Sequence, residues 1–341
     1  MNKQMLGVIE ASTYHNTLTP LTAYRSVGAV PFAGRYRLID FILSNMVNSG
    51  ISSVAIFPRS HYRSLMDHLG SGKEWDLDRK RDGLYIFPPI MSELQTEPST
   101  LFSQLRYHID YFLRSTQKYV LISNTFNISN IDFKPVLRRH VQVGAAVTSL
   151  EHEGEQLGMY VLEKSRLVSL LQDTEHDFKD VHEMIQYIEK HETIHVYEHT
   201  GYVARISDIP SYFSASMSLL KPDTWSRLFL KERSILTKVK DEPPTRYVKG
   251  SNVKNSIVAN GCVIEGHVEN SIIFRGVRVE KGAVIKNSIV MQKGTVHENS
   301  HIEYAILDKD VKVEVNTVIK GDATNPQVVA KGTRQGALMN S

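Results

Sequence analysis

One cysteine, Cys262, is all the chain has, which excludes an intrachain disulfide and fits a reducing compartment. No apolar run approaches the roughly 18 residues of a membrane span, and the start MNKQMLGVIEAS lacks a signal peptide's apolar core. Charge of one sign is scarce too: 40 Lys and Arg against 37 Asp and Glu leave +3 with neutral histidines, and no basic block occurs. Nucleic acid and membrane are therefore not expected as partners, and the expected location is cytoplasmic. Glycine is missing from EASTYHNTLTPLT (10–22), directly before RSVGAVPFAGRYRLIDFILSNMVNSGI (25–51). That absence matters because a loop that cradles phosphate with backbone N–H groups needs residues without side chains.

What is present suffices for two domains: 341 residues, 41% apolar and 23% charged. Up to about residue 215, short β-rich runs (6–9, 52–57, 119–123, 144–150, 158–163) alternate with helical patterns. The helical patterns are LIDFILSNMVNSG (38–50), stopped by Gly50, TLFSQLRYHIDYFLRS (100–115) and SRLVSLLQ (165–172). Alternation of this kind implies βαβ units and a mostly parallel sheet covered on both faces.

From about Val248 the period changes. Asn255-Ser256-Ile257-Val258, Asn270-Ser271-Ile272-Ile273 and Asn287-Ser288-Ile289-Val290 are near-copies. Aliphatics recur every six residues: Val258 and Ile264; Ile273 and Val279; Val284, Val290, Val296 and Ile302; Leu307, Val313 and Ile319. Five-residue slips at 279–284 and 302–307 read as shortened corners. A six-residue period fits a parallel β-helix, with one inward aliphatic per face of each coil. An antiparallel sandwich of short strands is the alternative. The domains are expected at 1–215 and 248–341, with 216–247 (Pro222, Pro243, Pro244) as connector. The open ends and flat faces of a coil stack would suit subunit contacts.

The run LTPLTAYRSVGAVPFAGRYRLIDFILSNMVNSGI resembles the signature of the ADP-glucose pyrophosphorylase (glucose-1-phosphate adenylyltransferase) family. WDLDRKRDGLYIFPP (75–89), EHDFKDV (175–181) and the terminal coils resemble the same family, so the likeness covers essentially the whole chain. It implies a Rossmann-like nucleotidyltransferase domain of α/β class with a mostly parallel sheet, followed by a left-handed parallel β-helix.

Carried over residue by residue, the family's catalytic pattern fails here. Where the family has G-G-x-G-[TS]-R-L, this chain has Ser12, Thr13, Tyr14, His15, Asn16, Thr17 and Leu18, so the glycines gain side chains and Thr17 replaces the arginine. Val27 replaces the lysine of R-A-K-P, which contacts the reacting phosphates. Thr125 stands for the metal-binding aspartate of A-G-D, and Arg205 for that of G-Y-W-x-D. Magnesium needs oxygen ligands, and a guanidinium repels it. The sugar-binding E-K-P segment is deleted, and PSTLFSQL replaces G-T-A-D-A. Retained scaffold with erased chemistry resembles the non-catalytic, regulatory subunit type of this family. The resemblance then implies no metal, no cofactor and no activity of the isolated chain. It implies a catalytic paralogue as partner in a hetero-oligomer, expected as a tetramer. A weakly active adenylyltransferase and a free-standing metabolite sensor are the other readings.

In relatives, the lysine of F-G-G-K-[FY]-R contributes to binding effectors such as fructose 1,6-bisphosphate and AMP. Here that run is Phe32-Ala33-Gly34-Arg35-Tyr36-Arg37, making Arg35 and Arg37 the effector candidates, with surface salt bridges as the plainer reading. Ser52 and Ser53 replace two arginines that follow NSGI in some relatives. HETIH (191–195) has zinc-hydrolase spacing, but a helix ending near Lys190 puts its histidines on different elements. His61, Asp67 and His68 read as solvated helix residues, and Trp75 and Trp225 as packing residues.

Overall fold

The computed structural model describes residues 4–11, 16–58, 61–89 and 100–336. Seven strands form one sheet: β1 (Met5–Ala11), β2 (Ser53–Pro58), β3 (Gly83–Ile86), β4 (Tyr119–Asn124), β5 (Val147–His152), β6 (Glu155–Glu163) and β7 (Ile194–Glu198). Their order is β7-β5-β6-β4-β1-β2-β3, and every pairing is parallel except those of β6 with β4 and β5. Helices cover both faces, so a central strand must be apolar on both sides. In β1, Met5, Ile9 and Ala11 enter one core cluster while Leu6 and Val8 enter another. Gly7 between them lets helix α1 (Leu38–Asn48) lie against the sheet, since a Cβ there would stand 2.6 Å from Met46 Sδ.

The expected strands are present with shifted ends. The helix expected over 100–115 is two helices, α3 (Leu101–Tyr107) and α4 (Ile109–Arg114), separated at His108. The expectation for His68 is overturned. His68 is not solvated: on α2 (Arg63–Leu69) it is buried, with Nε2 2.6 Å from Asp40 Oδ1 and its ring edge-on to buried Trp75. Asp40 sits in the first turn of α1, where it also accepts the Arg37 backbone N–H at 2.9 Å. Its carboxylate therefore joins the start of α1 to the last turn of α2. Trp225, by contrast, is 39% exposed and packs one side on Phe229.

Residues 246–335 coil into three parallel sheets of six, five and five strands, a left-handed β-helix. Inside, Ile264, Val279, Val296 and Val313 stack on one face, and Ile273, Val290, Leu307 and Val329 on another. The third stack is Val268, Ile285, Ile302 and Ile319. Val284 therefore does not face inward as the six-residue count implied; it is the outward neighbour of Ile285, and the short step is 285–290. The corner is set by the Asn-Ser pairs. Asn255, Asn270 and Asn287 take φ of 43° to 45°, a left-handed conformation that asparagine tolerates. The serine that follows bridges the coils: Ser271 and Ser288 each donate to the carbonyl two residues back, and accept the backbone N–H of Ser288 and Ala305 respectively at 3.1 Å.

The repeated Ile-Val doublet has a second role. Adjacent residues of a strand point to opposite faces. In Ile272-Ile273, Ile289-Val290 and Ile306-Leu307 the second residue fills the coil, and the first faces out under the α/β domain. There Ile272, Ile289 and Ile306 join Phe32, Phe41, Tyr212 and Phe213 in one cluster. Tyr212 lies on α6 (Ile209–Ser218), wholly buried, its hydroxyl donating to Pro31 O at 2.6 Å.

Candidate functional site

Parallel sheets bind ligands beyond the carboxyl ends of their strands, where the chain switches from one side of the sheet to the other. Here that point is the end of β1, between β4 and β2. Ser12, Thr13 and His15 lie outside the described residues. Thr17 follows them, exposed, with its hydroxyl donating to Ser207 O at 2.5 Å. Val27 lies in a short helical turn, 1% exposed, in the apolar cluster that also holds Leu18, Leu21, Ile128 and Ile206.

Thr125 follows β4 and is fully buried. A Cβ on Gly28 would lie 3.4 Å from Thr125 Cγ2, 3.4 Å from Ile39 Cβ and 3.6 Å from Ala11 Cβ. The threonine methyl thus packs into the angle between the end of β1 and the Val27–Ala29 turn, and its hydroxyl has no hydrogen-bond partner. Ser123-Asn124-Thr125-Phe126 contains no carboxylate. The neighbouring amides serve the backbone: Asn124 donates to Leu157 O and Gly158 O, and Asn127 to Leu157 O and Asn124 Oδ1. Arg205, exposed on the short strand Val203–Arg205, pairs in register with Asn127 and reaches Gln156 O at 3.4 Å. The fold brings Thr17, Val27, Thr125 and Arg205 to one end of the sheet. Among the described residues no group of three or more His, Cys, Asp or Glu is arranged to hold a metal. β5 and β6 are joined by Glu153 and Gly154 alone, both at positive φ (52° and 81°), so no sugar-binding loop fits between them.

A second region is chemically richer. A cleft of about 640 Å³ lies between the α/β domain and the β-helix. Arg25, Arg37, Arg63, Lys240, Arg275, Lys293, Lys309 and Lys331 line it, with Asp67 and Glu242 as the acids. Burial, reinforced by Arg25 and Arg275, pulls Arg37 down to about 10 against the pull of Asp40. Its guanidinium donates to Ser64 O at 2.6 Å and Ser64 Oγ at 3.0 Å. Burial also lowers the pKa of Arg275 and Lys309, and Arg275 Nε is buried without a partner. Crowded, partly desolvated cations with a spare donor are suited to a polyanion, whose charge would relieve their repulsion. Arg35 does not line the cleft; it is exposed, with its guanidinium 5.4 Å from the Tyr36 ring centroid.

The β-helix side of the cleft was not anticipated, although the coils carry its signal. Arg275, Gln292, Lys309 and Lys331 each stand two residues beyond the inward residue of one face (Ile273, Val290, Leu307, Val329), once per coil. HETIH divides as expected: His191 ends α5 (Val181–His191), its Nδ1 donating to Tyr187 O, while His195 lies on β7. Among the described residues no helix is long and apolar enough to cross a membrane.

An α/β sheet with this switch point, docked on a hexapeptide β-helix, defines a sugar-nucleotidyltransferase class of architecture. Residues 8–156 match the family described as nucleotidyl transferase, and residues 243–338 the one described as GlmU-like, C-terminal hexapeptide. The chain is 51% identical to a protein of Bacillus subtilis (strain 168) named glycogen biosynthesis protein GlgD, over 100% of this chain and 99% of that one. It is 52% identical to the protein of that name from Geobacillus stearothermophilus over the full length of both. Identity to a glucose-1-phosphate adenylyltransferase of Bacillus cereus (strain Q1) is 28%, over 96% and 97% of the two chains. The chain belongs to the ADP-glucose pyrophosphorylase family, in its GlgD branch.

Proposed function

We propose that the chain is a non-catalytic regulatory subunit in glycogen biosynthesis, assembling in the cytoplasm with a catalytic glucose-1-phosphate adenylyltransferase paralogue. The paralogue makes ADP-glucose and pyrophosphate from ATP and glucose 1-phosphate, and this chain biases its conformation or effector response. The observation that carries the reading is the packing of Thr125 and Val27. Two positions that need a metal ligand and a phosphate-binding ammonium hold a buried methyl and a core aliphatic. Phosphoryl transfer depends on positioned charge, which neither supplies. The names of the relatives place them in glycogen synthesis, in agreement with this role.

The basic cleft supports a regulatory task. Arg37 and the β-helix cations span two domains, so a phosphorylated metabolite there would favour one relative domain position over another and alter contacts to the partner. When the chain is co-expressed with a catalytic relative, the two are expected to co-purify, and the complex to differ from the catalytic subunit alone in maximal rate or substrate affinity by about threefold or more. Co-assembly with unchanged kinetics and effector response would end the reading.

A further inference from the structure

A cavity of about 690 Å³ opens beside β3, the edge strand of the sheet, and shares no lining residue with the basic cleft. Its charge sets it apart from that cleft. Lys80, Arg81 and Arg114 line it together with Asp82 and Asp110, three cations against two acids, whereas the cleft has eight cations against two. A polyanion is drawn to the cleft. A neutral ligand rich in hydroxyls suits a wall where donors and acceptors are nearly balanced.

Aromatic rings make most of that wall. Tyr85 and Phe87, two residues apart along the sheet edge, have rings within 11° of parallel. Tyr111 is turned 57° from the first and 65° from the second, so the surface bends. It is also braced: Phe57 stacks on Phe87 at 5.0 Å, and the Tyr111 hydroxyl is 3.0 Å from Ser53 Oγ. The outer rings are open, Tyr85 being 39% and Tyr107 67% exposed.

Pyranose rings present C–H faces that pack on aromatic faces, while their hydroxyls bond polar groups at the edge. Asp110 and Arg114 are such groups. They stand one turn apart on α4, both exposed, and neither is in an ion pair among the described residues. A free carboxylate and a free guanidinium fork on one helix face accept from and donate to neighbouring hydroxyls of one sugar. An α-linked glucan curves and a β-linked one runs flat, so the bend of the wall selects the first.

We propose that this cavity binds a short stretch of α-linked glucan, its rings packed on Tyr85 and Tyr107 and its hydroxyls held by Asp110 and Arg114. The choice of a glucose polymer rests on the proposed role in glycogen synthesis. The site is distinct from both the end of β1 and the interdomain cleft, and it needs no partner subunit.

Calorimetric titration of the full chain with maltoheptaose tests this. Saturable binding is expected, not matched by cellohexaose and not displaced by AMP at the same concentration. Tyr107→Ala, at an exposed position where folding is not at stake, and Tyr85→Ala should each raise Kd about tenfold, the loss of one packing face. Asp110→Asn should raise it about fivefold. Tyr247→Ala, which removes an open ring on the β-helix, should change it less than twofold. Absence of saturable binding overturns the proposal and leaves the regulatory reading in place; failure to co-assemble with a catalytic relative does the reverse. Equal binding of cellohexaose, displacement by AMP, or binding kept in Tyr85→Ala and Tyr107→Ala but lost in Tyr247→Ala would each overturn it as well.

Discussion

Replacing Asp308 with alanine is expected to lower stability by about 3–5 kcal/mol, the usual result of stripping one partner from a buried ion pair. Asp308 Oδ1 lies 2.9 Å from Arg25 Nη1, with the two side chains 2% and 6% exposed. Arg25 also donates to Leu21 O at 3.1 Å, so the pair fixes the chain after β1 to the side of the β-helix. In Asp308→Ala the guanidinium stays where it is, desolvated and opposed only by a carbonyl dipole. The double variant Arg25→Met/Asp308→Leu, which removes both charges and keeps the volume, should recover most of the loss. Urea unfolding of the three proteins measures this. A single variant within about 1 kcal/mol of the parent would mean that water reaches the pair.

Acid should weaken the fold through His199. Burial, helped by His152 and Arg233 and opposed by Glu198, lowers its pKa from 6.5 to about 4. Its Nε2 is buried without a partner, and its carbonyl accepts from His152 Nδ1 at 2.7 Å. The unfolded chain therefore takes up this proton near pH 6.5 and the folded chain only near pH 4. Between those values the unfolded state binds more protons, so stability falls as pH falls through that window. The neutral-ring contribution is complete above about pH 6.5 and gone below about pH 4. With allowance for the solvent that reaches the ring, it comes to about 2 kcal/mol. Melting temperatures from pH 7 to pH 4 should decline more steeply for the parent than for His199→Gln. Parallel curves would show that His199 is protonated in the folded protein without penalty.

Most of the fold was legible because its signals are periodic. The change from βα alternation to a short aliphatic repeat located the β-helix, and the Asn-Ser corners marked its turns. The register was misread at one place, Val284 for Ile285, because a strand offers two aliphatics in succession and a six-residue count does not choose between them. The same ambiguity hid the docking face. A doublet such as Ile272-Ile273 cannot bury both residues in one core, and the outward one needs the α/β domain over it.

The candidate site was legible in its losses. Val27, Thr125 and Arg205 are visible as misfits against a signature, and in space they gather with Thr17 at one end of the sheet. The basic cleft was less so. Arg37 was singled out, but its companions come from corners in successive coils, related only through the three-dimensional stack. Arg35, one residue before Tyr36, does not line it. His68 was read as solvated because one short helix does not reveal that its partner, Asp40, lies 28 residues earlier at the head of another.

The proposed role rests on Val27 and Thr125 at the end of β1, which supply neither the ammonium nor the carboxylate that nucleotidyl transfer needs. The measurement is pyrophosphate release from ATP, magnesium and glucose 1-phosphate by the isolated, purified chain. The account predicts release at the rate of a protein-free blank. Magnesium-dependent turnover that rises with the concentration of the chain, and survives removal of any co-purifying paralogue, would contradict it.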